Sequence, residues 1–299
     1  MTRSINYNLL TSSNSQQDNT CRICGNLYLR VVDVIQSRRT EEKVTAYCCS
    51  KCSHFSLFPI MYAQKKDFNW DGVQYYLNQK EEKIKYFNKK LDQLQFIYEK
   101  IYQRKPQSFL DVGCATGLSL SLAETRGMYA LGIEPEKRMA EYGITNFGVN
   151  IEQRLLDETF QTKEKFDVIL CEQVLEHVND PYKFMTLLKD LLSPQGIIYI
   201  GVPPVYSINL FTTFLLCNLI RRINTKVRIG YNLDIFYDPD EHINCFTGKS
   251  MKYLADRVGL DVQPLLFMVA DLSPKQVIGR LLTSGYNPGA FILCKQIPR

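Results

Sequence analysis

The 299-residue chain predicts an α/β fold, short apolar strands alternating with helices around a doubly wound parallel sheet. Three observations predict it. The stretch Ser108-Phe109-Leu110-Asp111-Val112-Gly113-Cys114-Ala115-Thr116-Gly117 runs an apolar strand into a glycine-spaced turn, with a helix beginning near Leu118. A second unit follows at once in Gly127-Met128-Tyr129-Ala130-Leu131-Gly132-Ile133-Glu134, and its last residue is acidic. Two further apolar runs, 166–171 and 196–202, flank a helix that Asp180-Pro181 starts and Ser193-Pro194 with Gly196 stops.

From the beginning of the chain, residues 1–20 are polar and carry no apolar core of signal-peptide type, so a cytoplasmic protein is expected. Residues 21–60 hold two C-x-x-C pairs, Cys21/Cys24 and Cys49/Cys52. Each pair turns two thiolates toward one ion, and two such knuckles complete a tetrahedral site whose expected metal is structural zinc. The alternation around 28–32 and 44–47 predicts a hairpin that brings the pairs together. Two disulfides, or free thiols spaced by chance, are the competing readings; a chain without an export signal favours zinc. Cys48 sits one residue too early for a knuckle with Cys52, and His54 is an alternative ligand.

Residues 61–105 read as a linker containing Trp70, Tyr75 and Tyr76, followed by one amphipathic helix. Its apolar positions are Ile84, Phe87, Leu91, Leu94, Ile97, Tyr98 and Ile101, spaced three and four apart. The lysine-rich opposite face is read as solvated. A net charge of +5 is too small to argue for nucleic acid, and 45% hydrophobic residues are ample for a core.

Beyond the second unit, Glu134-Pro135-Glu136 opens a helix, and a short third strand is expected near 149–151. A helix over 248–258 stops at Gly259, and strands over 262–269 and 290–295 suit an antiparallel closing hairpin. Between Pro204 and Glu241 lies an insertion, 205–240, long enough for a lid or substrate loop. Its apolar run, Ile208 to Ile220, falls short of the ~20 residues of a membrane span; a peripheral membrane contact through 208–222 is the competing view.

The first turn explains what the sheet is for. Glycines let backbone N–H groups and a helix N-terminus approach a ligand, and an acid 21 residues after Gly113 is placed to bond a ribose diol. The turn lacks the G-x-G-x-x-G spacing that makes room for a pyrophosphate. It resembles motif I of class I S-adenosylmethionine (SAM) methyltransferases, with Glu134 as the motif II acid and Ala115 where the family usually has glycine. The passage 166–204 resembles the family's FDVI, EVLEHV.DP, L.PGG and VP elements, in the branch that holds quinone, small-molecule and sugar methyltransferases; Gln195-Gly196 stands in the PGG turn.

The resemblance implies a Rossmann-like seven-stranded class I methyltransferase sheet over 106–299, with the small four-cysteine zinc-binding module at its N-terminal side. It implies SAM contacts from Asp111, Gly113, Cys114, Ala115, Gly117, Glu134, Pro135, Leu156, Glu172 and Gln173. The heptad Glu241-His242-Ile243-Asn244-Cys245-Phe246-Thr247 resembles the EH..YF(S/T) element of zinc-bearing relatives, with Cys245 replacing the tyrosine. His242 is the general-base candidate, assisted by Glu241 and His177, because imidazole exchanges protons near neutral pH. A structural role for His242, and a helix-capping role for Glu176 and His177, are the alternatives. The expected function is SAM-dependent methylation of a small-molecule acceptor. An RNA methyltransferase, a non-catalytic SAM- or zinc-binding scaffold and a nicotinamide-dependent oxidoreductase are the rivals; nucleic acid is not favoured, there being neither an N/D-P-P-Y/F signature nor a strongly basic stripe.

Overall fold

The computed structural model describes residues 20–27, 29–36, 42–58, 71–203, 242–263 and 290–295. The insertion 205–240, Trp70, Glu241 and most of the strand expected over 262–269 lie outside the described residues.

Seven strands form the central sheet: β4 (Ser108–Val112), β5 (Tyr129–Ile133), β6 (Ile151–Glu152), β7 (Phe166–Glu172), β8 (Leu192–Gly201), β10 (Leu260–Val262) and β11 (Ala290–Lys295). Their order is β10-β11-β8-β7-β4-β5-β6. The inner strands are parallel, whereas β11 runs antiparallel to both β8 and β10. This is the expected seven-stranded class I methyltransferase sheet with its reversed edge.

The strands read as continuous apolar runs because both faces are covered. Alternate residues separate cleanly. Phe109, Val168, Leu170 and Ile197 face α2 (Lys80–Tyr102) and α3 (Leu118–Glu124), while Leu110, Ile169, Cys171 and Ile198 face α5 (Pro181–Leu191) and α6 (Gly248–Val258). The long amphipathic helix expected before the first core strand is α2, its buried stripe carrying Phe87, Leu91, Leu94, Ile97 and Tyr98.

Caps set the helix ends. Glu136 accepts from the amides of Arg138 and Met139 to start α4 (Lys137–Phe147), Asp180 accepts from Lys183 with Pro181 in the first turn of α5, and Thr247 forms a capping box with Ser250. At the start of α5 the side chain that accepts an amide is that of Asp180.

Several boundaries differ from expectation, among them α4, which starts at Lys137 and leaves Pro135 before its cap, and β10, which starts at Leu260. The chain turns from α5 straight into β8 at Leu192 rather than at Gly196, since Ser193 already donates to the Asp167 carboxylate (2.9 Å) across the sheet. Within the predicted linker, Asp71 accepts from Gln74 and starts a short helix, α1 (Gly72–Asn78).

The cysteine-bearing segment builds a second, antiparallel sheet of β1 (Leu29–Gln36), β2 (Lys43–Cys49) and β3 (Phe55–Phe58). Its fourth strand comes from far along the chain: β9 (Asn244–Cys245) pairs with β3 through Ser56↔Asn244 and Phe55↔Cys245. Cys21, Ile23, Cys49 and Cys52 share one apolar cluster with the α5 and α6 side of the central sheet.

Candidate functional site

The carboxyl ends of β4, β5 and β7 converge where ligands bind in open α/β sheets. The turn after β4 is held by Gly113 and Cys114 amides on the Ile133 carbonyl (2.8 and 3.3 Å), and it passes through positive φ at Gly113 (80°), Ala115 (52°) and Gly117 (69°). Gly117 is obligatory on two counts, since a Cβ there would fall 2.8 Å from Val149 Cγ2. Ala115 takes a left-handed conformation that side chains rarely adopt.

Glu134, fully buried, faces this turn from the tip of β5. Its Oε2 accepts from the Ala115 amide (2.8 Å) and its Oε1 from the Glu136 amide (2.8 Å), which holds a charged carboxylate in the cradle. Asp111 accepts from the Ser119 hydroxyl, tying β4 to α3. Cys114 is at the turn, but its thiol packs inward, where a Cβ on Gly132 would lie 2.5 Å from its sulfur. Leu156 is buried in the core and Pro135 is partly exposed.

At the end of β7, Gln173 has φ 58° and donates its amide to Gly201 O (2.8 Å). Glu172 Oε1 accepts from Lys90 Nζ (3.0 Å) and from the Tyr86 hydroxyl, and Lys90 also donates to Tyr199 Oη (2.5 Å). Burial disfavours the Lys90 charge, yet the Glu172 carboxylate and the Tyr199 and Tyr86 hydroxyls together outweigh it and hold the ammonium above the usual lysine range. The lysines of α2 are expected on a solvated face, and Lys90 departs from that expectation. Its position one residue from Leu91 on the buried stripe was the signal available.

Past Gln173 the chain makes a 3₁₀ turn, Leu175–His177, and His242 packs against it. Ligand atoms of Glu176, His177 and His242, all buried, lie within 4.8 Å of one another. His177 Nε2 stands 3.9 Å from Glu176 Oε1, and the two imidazoles are 5.0 Å apart between centroids. Burial lowers the pKa of His242 to about 4, so the ring is neutral, and neither of its nitrogens has a hydrogen-bond partner among the described residues. Glu241 lies outside the described residues.

The sulfurs of Cys21, Cys24, Cys49 and Cys52 also lie within 4.8 Å of one another. The Cys21–Cys52 and Cys24–Cys49 separations are both 3.5 Å, far beyond the ~2.05 Å of a disulfide. The hydrogen bond from Cys52 lowers the Cys21 pKa to about 5. Cys48 turns its thiol toward Cys49 O, and His54 bonds Asn244, so neither joins the four sulfurs.

A family model described as a methyltransferase domain matches residues 80–265. The chain belongs to this methyltransferase-domain family. The match runs from the start of α2 past β10 and takes in both the Glu134 cradle and the His242 cluster. Among curated proteins, the ubiquinone biosynthesis O-methyltransferase of Haemophilus ducreyi is 34% identical over 103 residues, covering 31% of this chain and 43% of that protein. That of Actinobacillus pleuropneumoniae serotype 7 is 32% identical over 119 residues, covering 36% and 50%. The chain thus spans about half the length, or less, of these curated relatives. Solved structures similar to it include the plantazolicin methyltransferase BpumL with SAH (14% identity, TM-score 0.49, 75% of this chain and 89% of that one) and PKMT2 from Rickettsia typhi with AdoHcy (18%, 0.46, 69% and 53%).

Proposed function

We propose that this methyltransferase domain transfers a methyl group from SAM to a small-molecule acceptor. The observation that carries the reading is the buried Glu134 carboxylate at the tip of β5, held against the glycine-spaced turn by the amides of Ala115 and Glu136, where an acid at the end of the second strand of a βαβ unit meets a ribose diol. Gly113, Ala115 and Gly117 would carry the backbone past the nucleoside, and Glu172 and Gln173 would lie toward the amino-acid part, with Asp111, Cys114, Pro135 and Leu156 shaping the pocket around them. Bound SAM would supply an electrophilic methyl on a sulfonium. The chain's own part is to hold the acceptor in line with that methyl, exclude water and receive the acceptor's proton. His242, with His177 and Glu241, is the candidate for the last task. Small quinone-like phenols fit the relatives' names better than RNA does, and nine cysteines outside any disulfide among the described residues suit a reducing cytoplasm.

A second reading of the His242 cluster is favoured by one observation. A ring whose pKa lies near 4 is a weak proton acceptor at neutral pH, but a neutral buried imidazole beside another histidine and a carboxylate is a good ligand. Three such ligands leave a fourth position open, where a divalent cation would acidify an acceptor hydroxyl. The four cysteines, a closed set, are read as the structural zinc site, and we read 21–60 as the zinc-binding segment.

Calorimetric titration with SAM and SAH, followed by mass spectrometry of products from a panel of phenolic and sugar acceptors, tests the function. Absence of binding to either compound would overturn it. Elemental analysis separates the metal readings: one zinc per chain supports the cysteine site alone, and a second divalent ion lost in His242→Ala supports the cluster as a ligand set.

A further inference from the structure

Asn244 lies two residues beyond His242, in the strand that completes the cysteine-bearing sheet. Its side chain is almost fully buried and reaches three elements at once. Nδ2 donates to Val178 O (2.6 Å), the carbonyl just past the turn that carries Glu176 and His177. Oδ1 accepts from Arg22 Nη1 (3.3 Å), inside the first C-x-x-C knuckle, and from His54 Nε2 (3.3 Å), two residues beyond the second.

Chemistry fixes this orientation. Val178 O can only accept and Arg22 can only donate, so the amide cannot be flipped, and His54 must carry its proton on Nε2. The backbone repeats the connection: Ile243 N donates to Glu176 O (3.0 Å), while Ile243 O accepts from Arg22 Nη1 (3.0 Å) and from Leu57 N (3.2 Å). Arg22 also holds Leu57 O (3.0 Å). No other residue type of this length offers both a donor and an acceptor; aspartate lacks the donor and leucine lacks both.

We propose that Asn244 is a positioning residue: it sets His242 against Glu176 and His177 by bolting β9 to both cysteine knuckles, so that metal occupancy of the four thiolates governs the geometry of the histidine pair. The inference rests on reading the cysteines as a zinc site and His242 as part of the acceptor site. The knuckle carrying Arg22 keeps its shape only while Cys21 and Cys24 share an ion with Cys49 and Cys52; without that ion, Arg22 and His54 lose their common frame. Asn244 would then hold Val178 alone.

The test uses the full-length, zinc-loaded protein and two variants, Asn244→Ala and Asn244→Asp. Ring signals of His177 and His242, followed by long-range ¹⁵N–¹H correlation, are expected to shift in Asn244→Ala and to shift the same way when wild-type protein is stripped with a chelator. Methyl transfer by Asn244→Ala should fall about 10- to 100-fold in kcat, the scale of a small misplacement, with the KM for SAM within about twofold. Asn244→Asp keeps the acceptor for Arg22 and His54 and should recover part of the loss. Histidine signals unmoved in either the variant or the stripped protein would overturn the proposal, as would wild-type protein that takes up no zinc. Failure of SAM to bind is a separate result against the methyltransferase reading, and the histidine spectra decide the positioning role either way.

Discussion

The Glu134 carboxylate accepts the Ala115 amide at 2.8 Å, joining the tip of the second core strand to the turn that follows the first. The cofactor cradle is therefore closed by the same acid that is assigned to the ribose. Glu134→Gln keeps the shape but loses the charge, and charge-assisted bonds of this kind are each worth roughly 1.5–3 kcal/mol. SAM affinity should fall about 10- to 100-fold by calorimetry. Unchanged affinity would remove Glu134 from the nucleoside site.

Ala115 tests whether the left-handed turn is strained. Relief of φ 52° by glycine is worth roughly 1–2 kcal/mol, while the lost buried methyl and the extra freedom of the unfolded chain cost about 1–2 kcal/mol together. The two nearly cancel, so Ala115→Gly should leave thermal stability within about 1 kcal/mol. Ala115→Val places a β-branched side chain at positive φ and should lose more than about 2 kcal/mol, together with SAM affinity. A stable, fully binding valine variant would show that the turn relaxes freely.

The Lys90–Glu172 pair is buried, with side chains 10% and 14% exposed. Removing one partner leaves the other charge without its match, a loss of roughly 3–5 kcal/mol for a fully buried pair and somewhat less here. Lys90→Met should therefore destabilise the protein by about 2–4 kcal/mol in urea unfolding, and adding Glu172→Gln should restore part of it. Equal stability of the single variant and wild type would mean that Tyr86 suffices as the Glu172 partner.

His242 has a folded-state pKa of about 4, below the ~6.5 of an unfolded chain. As the pH falls the unfolded state takes up the proton first. The stability His242 contributes is thus complete above about pH 6.5 and is lost down to about pH 4, on the order of 3 kcal/mol in all. Unfolding free energies of wild type and His242→Asn at pH 7 and pH 5 measure the difference. Methyl transfer that needs neutral His242 should keep its acid limb near pH 4; a limb near 6.5 would point to another group.

Local signals carried most of the fold. The Gly113–Gly117 turn, the Asp180-Pro181 start of α5 and the Gly259 stop of α6 each act within a few residues, and the alternation of buried strand residues follows from them. The cysteine hairpin was equally legible, since both knuckles lie within 32 residues of one another. What escaped depends on contacts between distant segments. Lys90 meets Glu172 at a separation of 82, and Asn244 meets Arg22 at 222. An asparagine between Ile243 and Cys245 reads as a loop residue until the sheet around it is known. His242 and His177 were both picked out from motifs, but their meeting with Glu176 is a matter of tertiary packing.

The borrowed strand β9 imposes an order on biogenesis. As the polypeptide leaves the ribosome, Arg22 emerges 221 positions ahead of the Ile243 carbonyl it finally holds. The three-stranded hairpin sheet must wait through synthesis of the whole central sheet's parallel strands with the outer edge of β3 uncovered, a surface prone to mispairing. Late capture of that edge means that the cysteine-bearing segment is made before the central sheet and finished after it.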